Sequence, residues 1–423
     1  MSAAHRARQG GGGESRLQRP RLEPPSTGPH PALIDLAAGR GLPPVTDPMP
    51  FLRSAFAHGM AGLLLSEVER TDPPWRRIAL AVLTARQASV RLWHERLWAA
   101  LASVSAILED AGIDVAIAKG IAAESRWYTR MGERPSSDLD LLLSPAHFDR
   151  IDDIIAAIEP SHPLCGKVRR FAEAGNIQSV DLEYEGVPID LHWDILKLWI
   201  PSRNREAIWE RTVPFTLPDG RSVRALDAEC SFVHFLVHIN KDRFRRLLGF
   251  ADVARIYQRE DLDLAAMQRL IRADGIETSV SASWDVVVRT LGLDAPNEFP
   301  AGPVRSLIWH VAWRPSVRLR ATESTIRFRH RQWLIAALGR GRALETLRCW
   351  LRMSLPPADL LAYLHSEYAY RWGAEAVSST PRSRLWALTV GRIQAAVQRR
   401  RRVAKASRLV AGGARQRRGS PLG

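Results

Sequence analysis

Two aspartates two residues apart at the head of an apolar run constrain this chain more than any other feature: Ser137-Asp138-Leu139-Asp140-Leu141-Leu142-Leu143. A strand turns successive side chains to opposite faces, so Asp138 and Asp140 share one face while Leu139 and Leu141 enter the core. Like charges at that spacing repel and gain nothing from packing. A cation between them removes the difficulty, and an oxygen-only pair suits Mg²⁺ (or Mn²⁺) carrying a substrate's phosphates. For an isolated Asp-x-Asp the competing explanation is a strand edge with solvated acids, so the flanks have to decide.

Upstream, residues 114–118 read as a short strand, followed by Lys119-Gly120 and a helical stretch over 121–128. Glycine at a strand-to-helix turn lets backbone N–H groups approach a phosphate, and a helix N-terminus favours that anion. Downstream, residues 178–184, a Glu185-Gly186 turn and residues 187–193 predict a hairpin. On its second strand Asp190 and His192 share a face, while Trp193 points the other way into the core. Asp190 is thus a third carboxylate able to activate an acceptor hydroxyl. Asp181 and Glu183, on the first hairpin strand, are the alternatives to it.

Taken together, Ala118-Lys119-Gly120, then Arg134-Pro135-Ser136-Ser137-Asp138-Leu139-Asp140, then Asp190-Leu191-His192-Trp193 resemble the uncharacterised nucleotidyltransferase family of bacteria, within the DNA-polymerase-β-like nucleotidyltransferase superfamily. The likeness begins at Ala57-His58-Gly59-Met60-Ala61-Gly62-Leu63-Leu64 and continues through His234, His238 and Asp252, spanning residues 50–375. It implies an α+β fold with a polymerase-β-like core between helical segments. It also implies transfer of a nucleotidyl group from a nucleoside triphosphate such as ATP, with release of pyrophosphate. Asp138, Asp140 and Asp190 would be the catalytic and metal-binding acids, and Lys119, Gly120, Arg134 and Ser137 the nucleotide-binding residues. The acceptor is unidentified; a peptide, sugar or antibiotic hydroxyl suits the relatives' associations. One departure from the wider superfamily is that Lys119-Gly120 replaces the usual Gly-Ser or Gly-Gly pair, at a long spacing from Asp138. The family shares that change.

The other candidates keep more than one reading. Lys119 either neutralises a phosphate or ends a strand in solvent. Arg134, its approach fixed by Pro135, is a candidate bidentate phosphate clamp. His192 either orients Asp190, touches substrate, or is a satisfied half-buried histidine. His234 and His238 stand at i and i+4, the spacing of a metal pair, but no Glu lies between them and no third ligand is evident. Core or hydrogen-bonded histidines are therefore favoured. Glu124 and Ser125, after Gly120, are minor candidates for the phosphate side.

The net charge of +15 is mostly local: residues 382–423 carry 12 basic residues and no acid, leaving 15 − 12 = +3 for the rest. Such a tail would attract nucleic acid or anionic lipid without sequence selectivity, or simply be solvated. No apolar run of 18 residues predicts a membrane span, and no apolar segment follows Met1 as in a secretory signal. Three widely spaced cysteines (Cys165, Cys230, Cys349) form neither a disulfide framework nor a zinc motif, which fits a reducing cytoplasm. The expected organisation is a disordered tail (1–48), a helical segment (49–112), the catalytic core (113–217), a helical domain (218–381) and the basic tail (382–423). The contrasting reading is a non-catalytic protein that binds nucleotide or nucleic acid on the same scaffold. Retention of all three acids argues against it.

Overall fold

The computed structural model describes residues 29–196, 202, 204–242 and 244–294. Four helices come first: α1 (Pro31–Ala37), α2 (Pro48–Ala57), α3 (Ala61–Thr71) and α4 (Arg76–Asp110). The sheet region follows with β1 (Val115–Ile117), α5 (Ile121–Trp127), β2 (Leu139–Leu143), α6 (Ile151–Ile158) and α7 (Val168–Glu173). It continues with β3 (Ser179–Tyr184), β4 (Val187–His192), α8 (Arg205–Glu210), β5 (Thr212–Thr216) and β6 (Ser222–Leu226). Helices α9 (Ala228–Lys241), α10 (Leu247–Arg259), α11 (Leu264–Asp274) and α12 (Glu277–Leu291) complete the described part. The architecture is α+β. The expected helical domain beyond residue 294, and the basic tail, lie outside the described residues. Among the described residues no helix is long and apolar enough to cross a membrane.

Local chemistry sets these boundaries. Helix α4 runs 35 residues without Gly or Pro. Val90, Leu97, Leu101, Val104 and Leu108 form the buried stripe its three- and four-residue spacing predicts, with Trp93 half-buried beside it. Asp227 caps α9 by accepting the Cys230 N–H at 2.7 Å, and Asp263 caps α11 by accepting that of Ala266 at 2.9 Å. Ser144-Pro145, an N-cap residue followed by Pro as the sequence of a helix start would have it, opens a different turn. Ser144 makes no side-chain cap bond, and Pro145–Arg150 form a 3-10 turn leading into α6.

Two expected boundaries move. Residues 31–37 belong to the folded body and not to a disordered tail. Pro31 opens α1, the His30 ring accepts the Ala32 N–H at 3.2 Å, and Leu33 and Leu36 are buried among α10 and α12. Four apolar side chains on one short face provide the surface that composition averaged over residues 1–48 conceals. Nor does the core end at residue 217: that position lies in the loop of the β5–β6 hairpin, and β6 pairs in parallel with β1 through Ala116↔Arg224 and Ile117↔Ala225.

The sheet order is β3-β4-β2-β1-β6-β5, with β2 parallel to β4 and antiparallel to β1. Alternation along the strands sorts their side chains into two cores. Val115, Ile117, Leu139, Leu141, Leu143, Val180, Leu182, Ile189 and Leu191 pack with α4, α6 and α7. Ala116, Ala118, Leu142 and Leu226 pack on the other side with the helical core built from α1 to α3 and α9 to α12. A sheet covered on both faces accounts for the near-continuous apolar run of β2. Asp140 therefore emerges under a helical roof, and not on an open strand edge.

Candidate active site

Strand register assembles the acids. Asp140 on β2 stands opposite Asp190 on β4, and Asp190 stands opposite Asp181 on β3, so three carboxylates cross three strands on one face. Asp181 is exposed, Asp190 half-buried, and Asp140 only 1% exposed. His192, two residues along β4, brings Nε2 to 3.1 Å from Asp140 Oδ1 and 3.2 Å from Asp190 Oδ2. Among the described residues Asp140, Asp190 and His192 form a group able to hold a metal ion, with one ligand atom from each lying within 4.8 Å of the others.

Asp138 stands just outside this trio. It precedes β2, and its Oδ1 accepts the Ser137 hydroxyl at 3.1 Å. Burial and then repulsion from Asp140 push its carboxyl above the usual carboxylate range, against the pull of Lys119 and Ser137. Asp140 moves the opposite way. Burial alone would raise it, but Lys119 and the His192 hydrogen bond outweigh that and hold it well below the ordinary value. Lys119 Nζ sits 2.8 Å from Asp140 Oδ1. Burial penalises its ammonium, yet Asp140, Asp138 and Asp190 together raise its pKa, so it stays charged. Lys119 is thus neither a solvated strand-end lysine nor, in this arrangement, bound only to phosphate: it neutralises the buried acid.

A divalent cation fits this donor set. Asp140 Oδ2 is buried and accepts no hydrogen bond, as are and do His192 Nδ1 and His234 Nε2. A desolvated carboxylate oxygen left bare is costly, and a metal ion would satisfy it.

The two histidines of α9 overlook the same face. The His234 Nδ1–H donates to the Ile195 carbonyl at 2.9 Å, which leaves Nε2 as a bare lone pair. Burial, followed by the positive charge of Lys119, lowers its pKa to about 3, so the ring is neutral. His238 Nε2 lies 3.2 Å from Lys119 Nζ; because an ammonium can only donate, that nitrogen accepts, and Nδ1–H faces Asp242 Oδ2 at 3.4 Å. The preference for hydrogen-bonded over metal-paired histidines thus describes His238, while His234 has one partner and one open nitrogen.

Arg134 is placed differently from its expected role as a phosphate clamp. Its Nε and Nη2 donate to the two oxygens of Asp252 at 2.8 and 3.0 Å, and Nη1 donates to the Gly120 carbonyl at 3.2 Å. The Tyr128 hydroxyl donates to the same carboxylate. With 7% exposure the guanidinium is committed to holding the 132–138 loop against α10. Glu124 completes the loop's support. Its Oε1 accepts the Gly132 and Arg134 N–H groups at 2.8 and 3.0 Å, and its Oε2 meets His94 Nδ1 at 2.7 Å. His94 Nε2 accepts the Ser136 N–H at 3.1 Å, so Nδ1 carries the proton that Glu124 receives. Glu124 is therefore a loop anchor, and Ser125 is exposed on the same helix. Gly120 has φ +67°, and a Cβ there would lie 2.8 Å from Ser136 Oγ; only glycine lets the loop come this close. His94 escaped the sequence reading, although it interrupts the apolar stripe between Val90 and Leu97, the one signal that marked it.

A mixed sheet carrying paired strand carboxylates on a covered face, with a glycine turn beside them, is the arrangement of a nucleotidyltransferase core. The chain belongs to the uncharacterised nucleotidyltransferase family, whose profile matches residues 44–292. No curated protein matches it.

Proposed function

We propose that the protein transfers a nucleotidyl group from a nucleoside triphosphate to an acceptor hydroxyl in a divalent-metal-dependent reaction. Membership of the family supports the reaction class. The buried, bare Oδ2 of Asp140 within the Asp140–Asp190–His192 group is the observation that carries the metal dependence. Asp140 and Asp190 would hold Mg²⁺ or Mn²⁺, with Asp138 joining once its Ser137 contact is exchanged. When bound, such ions neutralise phosphate charge and stabilise the attacking and leaving oxygens of an in-line displacement.

The chain's own residues then have distinct tasks. Lys119 keeps Asp140 ionised until the metal arrives, and it has an N–H to offer the triphosphate. Asp190, the less buried of the trio's carboxylates, receives the acceptor's proton as the acceptor oxygen bonds to the α-phosphorus and pyrophosphate leaves. His192 spans Asp140 and Asp190, fixing their separation. An imidazole beside two carboxylates also admits Mn²⁺ more readily than an all-oxygen set would. Arg134 and Gly120 act through the loop that presents Ser137 and Asp138, as positioning residues. The acceptor class remains a peptide, sugar or antibiotic hydroxyl, in a cytoplasmic setting, with the basic tail adding affinity for nucleic acid or anionic lipid.

The test is incubation with each labelled triphosphate, Mg²⁺ and a cell extract, following both pyrophosphate and the labelled product. Metal-dependent pyrophosphate release that Asp140→Asn abolishes supports the proposal. Triphosphate binding with no pyrophosphate under any acceptor pool favours the non-catalytic reading.

A further inference from the structure

Lys119 occupies an unusual position for a cation in a metal-binding site. Its Nζ lies 2.8 Å from Asp140 Oδ1, on the same carboxylate whose bare Oδ2 would take the metal. An ammonium and a divalent ion on one buried carboxylate repel strongly where solvent screening is weak. Metal entry therefore requires somewhere else for that ammonium to go. The roof of the site supplies it. His238 Nε2 already accepts from Lys119 at 3.2 Å, and one helical turn earlier His234 Nε2 is a buried lone pair with no hydrogen-bond partner. The two rings stand on the same side of α9 with centroids 6.0 Å apart. Their outer nitrogens are committed, to the Ile195 carbonyl and toward Asp242, so both inner nitrogens are acceptors.

We propose that Lys119 is a displaceable counter-cation: it neutralises Asp140 while the site lacks metal, and moves onto the His234–His238 pair when a divalent ion arrives. The move keeps the His238 contact and exchanges the Asp140 oxygen for His234 Nε2. No covalent bond is made or broken and no proton changes owner. The device gives the two α9 histidines a role, and it rests on the metal reading above. It also explains why a buried helix tolerates an imidazole nitrogen with no partner: that nitrogen is satisfied in the other state.

Mn²⁺ binding to the full-length protein without nucleotide, followed by the electron paramagnetic resonance signal of free Mn²⁺, tests this independently of turnover. Lys119→Met removes the competing charge and should tighten Mn²⁺ binding about tenfold. His234→Leu removes the landing site and should weaken binding in the wild-type background, yet have no effect in the Lys119→Met background. Lys119→Gln provides the same charge loss with a polar side chain should the Met variant fold poorly. Unchanged or weaker Mn²⁺ binding in both Lys119 variants overturns the proposal. So does a His234→Leu effect that persists without Lys119, which would make His234 a ligand or a structural residue. Asp140→Asn separates the two readings: if Mn²⁺ binding survives that substitution, the metal site itself is misassigned and the proposal falls with it.

Discussion

Two buried polar clusters lie within one loop of each other and differ in a single respect. Around Arg134 the donors and acceptors meet: both Asp252 oxygens, both Glu124 oxygens and both His94 nitrogens have partners. Around Asp140 they do not, since Asp140 Oδ2, His192 Nδ1 and His234 Nε2 are all buried and bare. Leaving a buried polar group unpaired costs on the order of 1–3 kcal/mol. Other buried atoms lack partners singly, such as Ser105 Oγ and Arg205 Nε, but here two from the sheet and one from α9 gather around the acids, as a site awaiting a ligand would have them. Saturation, more than charge or burial, separates the scaffold from the chemistry here. The Arg134 cluster fixes the loop that leads into β2, where Asp140 stands.

The sharpest way to break this contrast is to cross one substitution from each cluster. Asp140→Asn should lower nucleotidyl transfer about 1000-fold or more, the equivalent of several kcal/mol of transition-state charge stabilisation. It should keep the circular dichroism of the wild type. It should also lower stability in metal-free buffer by about 1–3 kcal/mol, because the buried Lys119 ammonium loses its nearest carboxylate. Two acids on one strand, considered alone, suggest the opposite sign through relief of repulsion; the Lys119 contact reverses it. Arg134→Met should reduce the unfolding free energy by about 3–5 kcal/mol, measured in urea, because Asp252 is left buried and charged. Transfer by the surviving folded fraction should drop far less than in Asp140→Asn. An Arg134→Met protein of normal stability that binds triphosphate poorly would restore the phosphate-clamp role and erase the distinction.

Acid titration sharpens the same comparison. Burial, and then Arg246, lowers His58 to about 4, and burial lowers His234 to about 3. The unfolded chain protonates these rings near pH 6.5, whereas the folded protein resists. Each therefore contributes stability that is complete above about pH 6.5 and is lost as pH falls toward the folded value, by up to roughly 1.4 kcal/mol per pH unit. Urea midpoints measured from pH 7 to pH 4.5 should fall, and His58→Phe should flatten part of that slope. A slope that is unaffected would mean His58 is protonated in the folded protein.

Much of this was legible in the sequence, and the reasons for the rest are physical. Strand alternation put Asp190 and His192 on one strand, and the hairpin at Glu185-Gly186 stands as expected, whereas Asp138, expected on the strand with Asp140, falls just before it. The α+β class followed from the alternation of strand and helix patterns with helical flanks. What periodicity does not encode is pairing across long separations. Arg134 and Asp252 are 118 residues apart, and Lys119 and His238 are 119 apart. Without those distances a loop arginine beside metal acids reads as a phosphate ligand, and two histidines on an apolar helix read as core. The core's end was misplaced for a related reason: β6 finds β1 by non-local pairing, which no local signal at residue 217 announces.

The smallest expected effect separates the two aspartates of the opening motif. Asp138 and Asp140 stand two residues apart, one before β2 and one within it, and the environment shifts them in opposite directions, upward for Asp138 and downward for Asp140. A carboxyl whose folded pKa lies above its unfolded value binds its proton more tightly in the folded state. It therefore costs stability once the pH exceeds that folded value, the reverse of Asp140. Asp138→Asn should accordingly raise metal-free stability at pH 7. Asp140→Asn should lower it. The gain should vanish near pH 3, where Asp138 is protonated in either state, and it should also diminish in Mn²⁺, where a carboxylate at 138 is useful. Paired melts at pH 7 and pH 3, with and without Mn²⁺, read both conditions. Should Asp138→Asn destabilise at neutral pH, Asp138 is held by a partner as Asp140 is, and the division between a compensated inner acid and an uncompensated outer one does not hold.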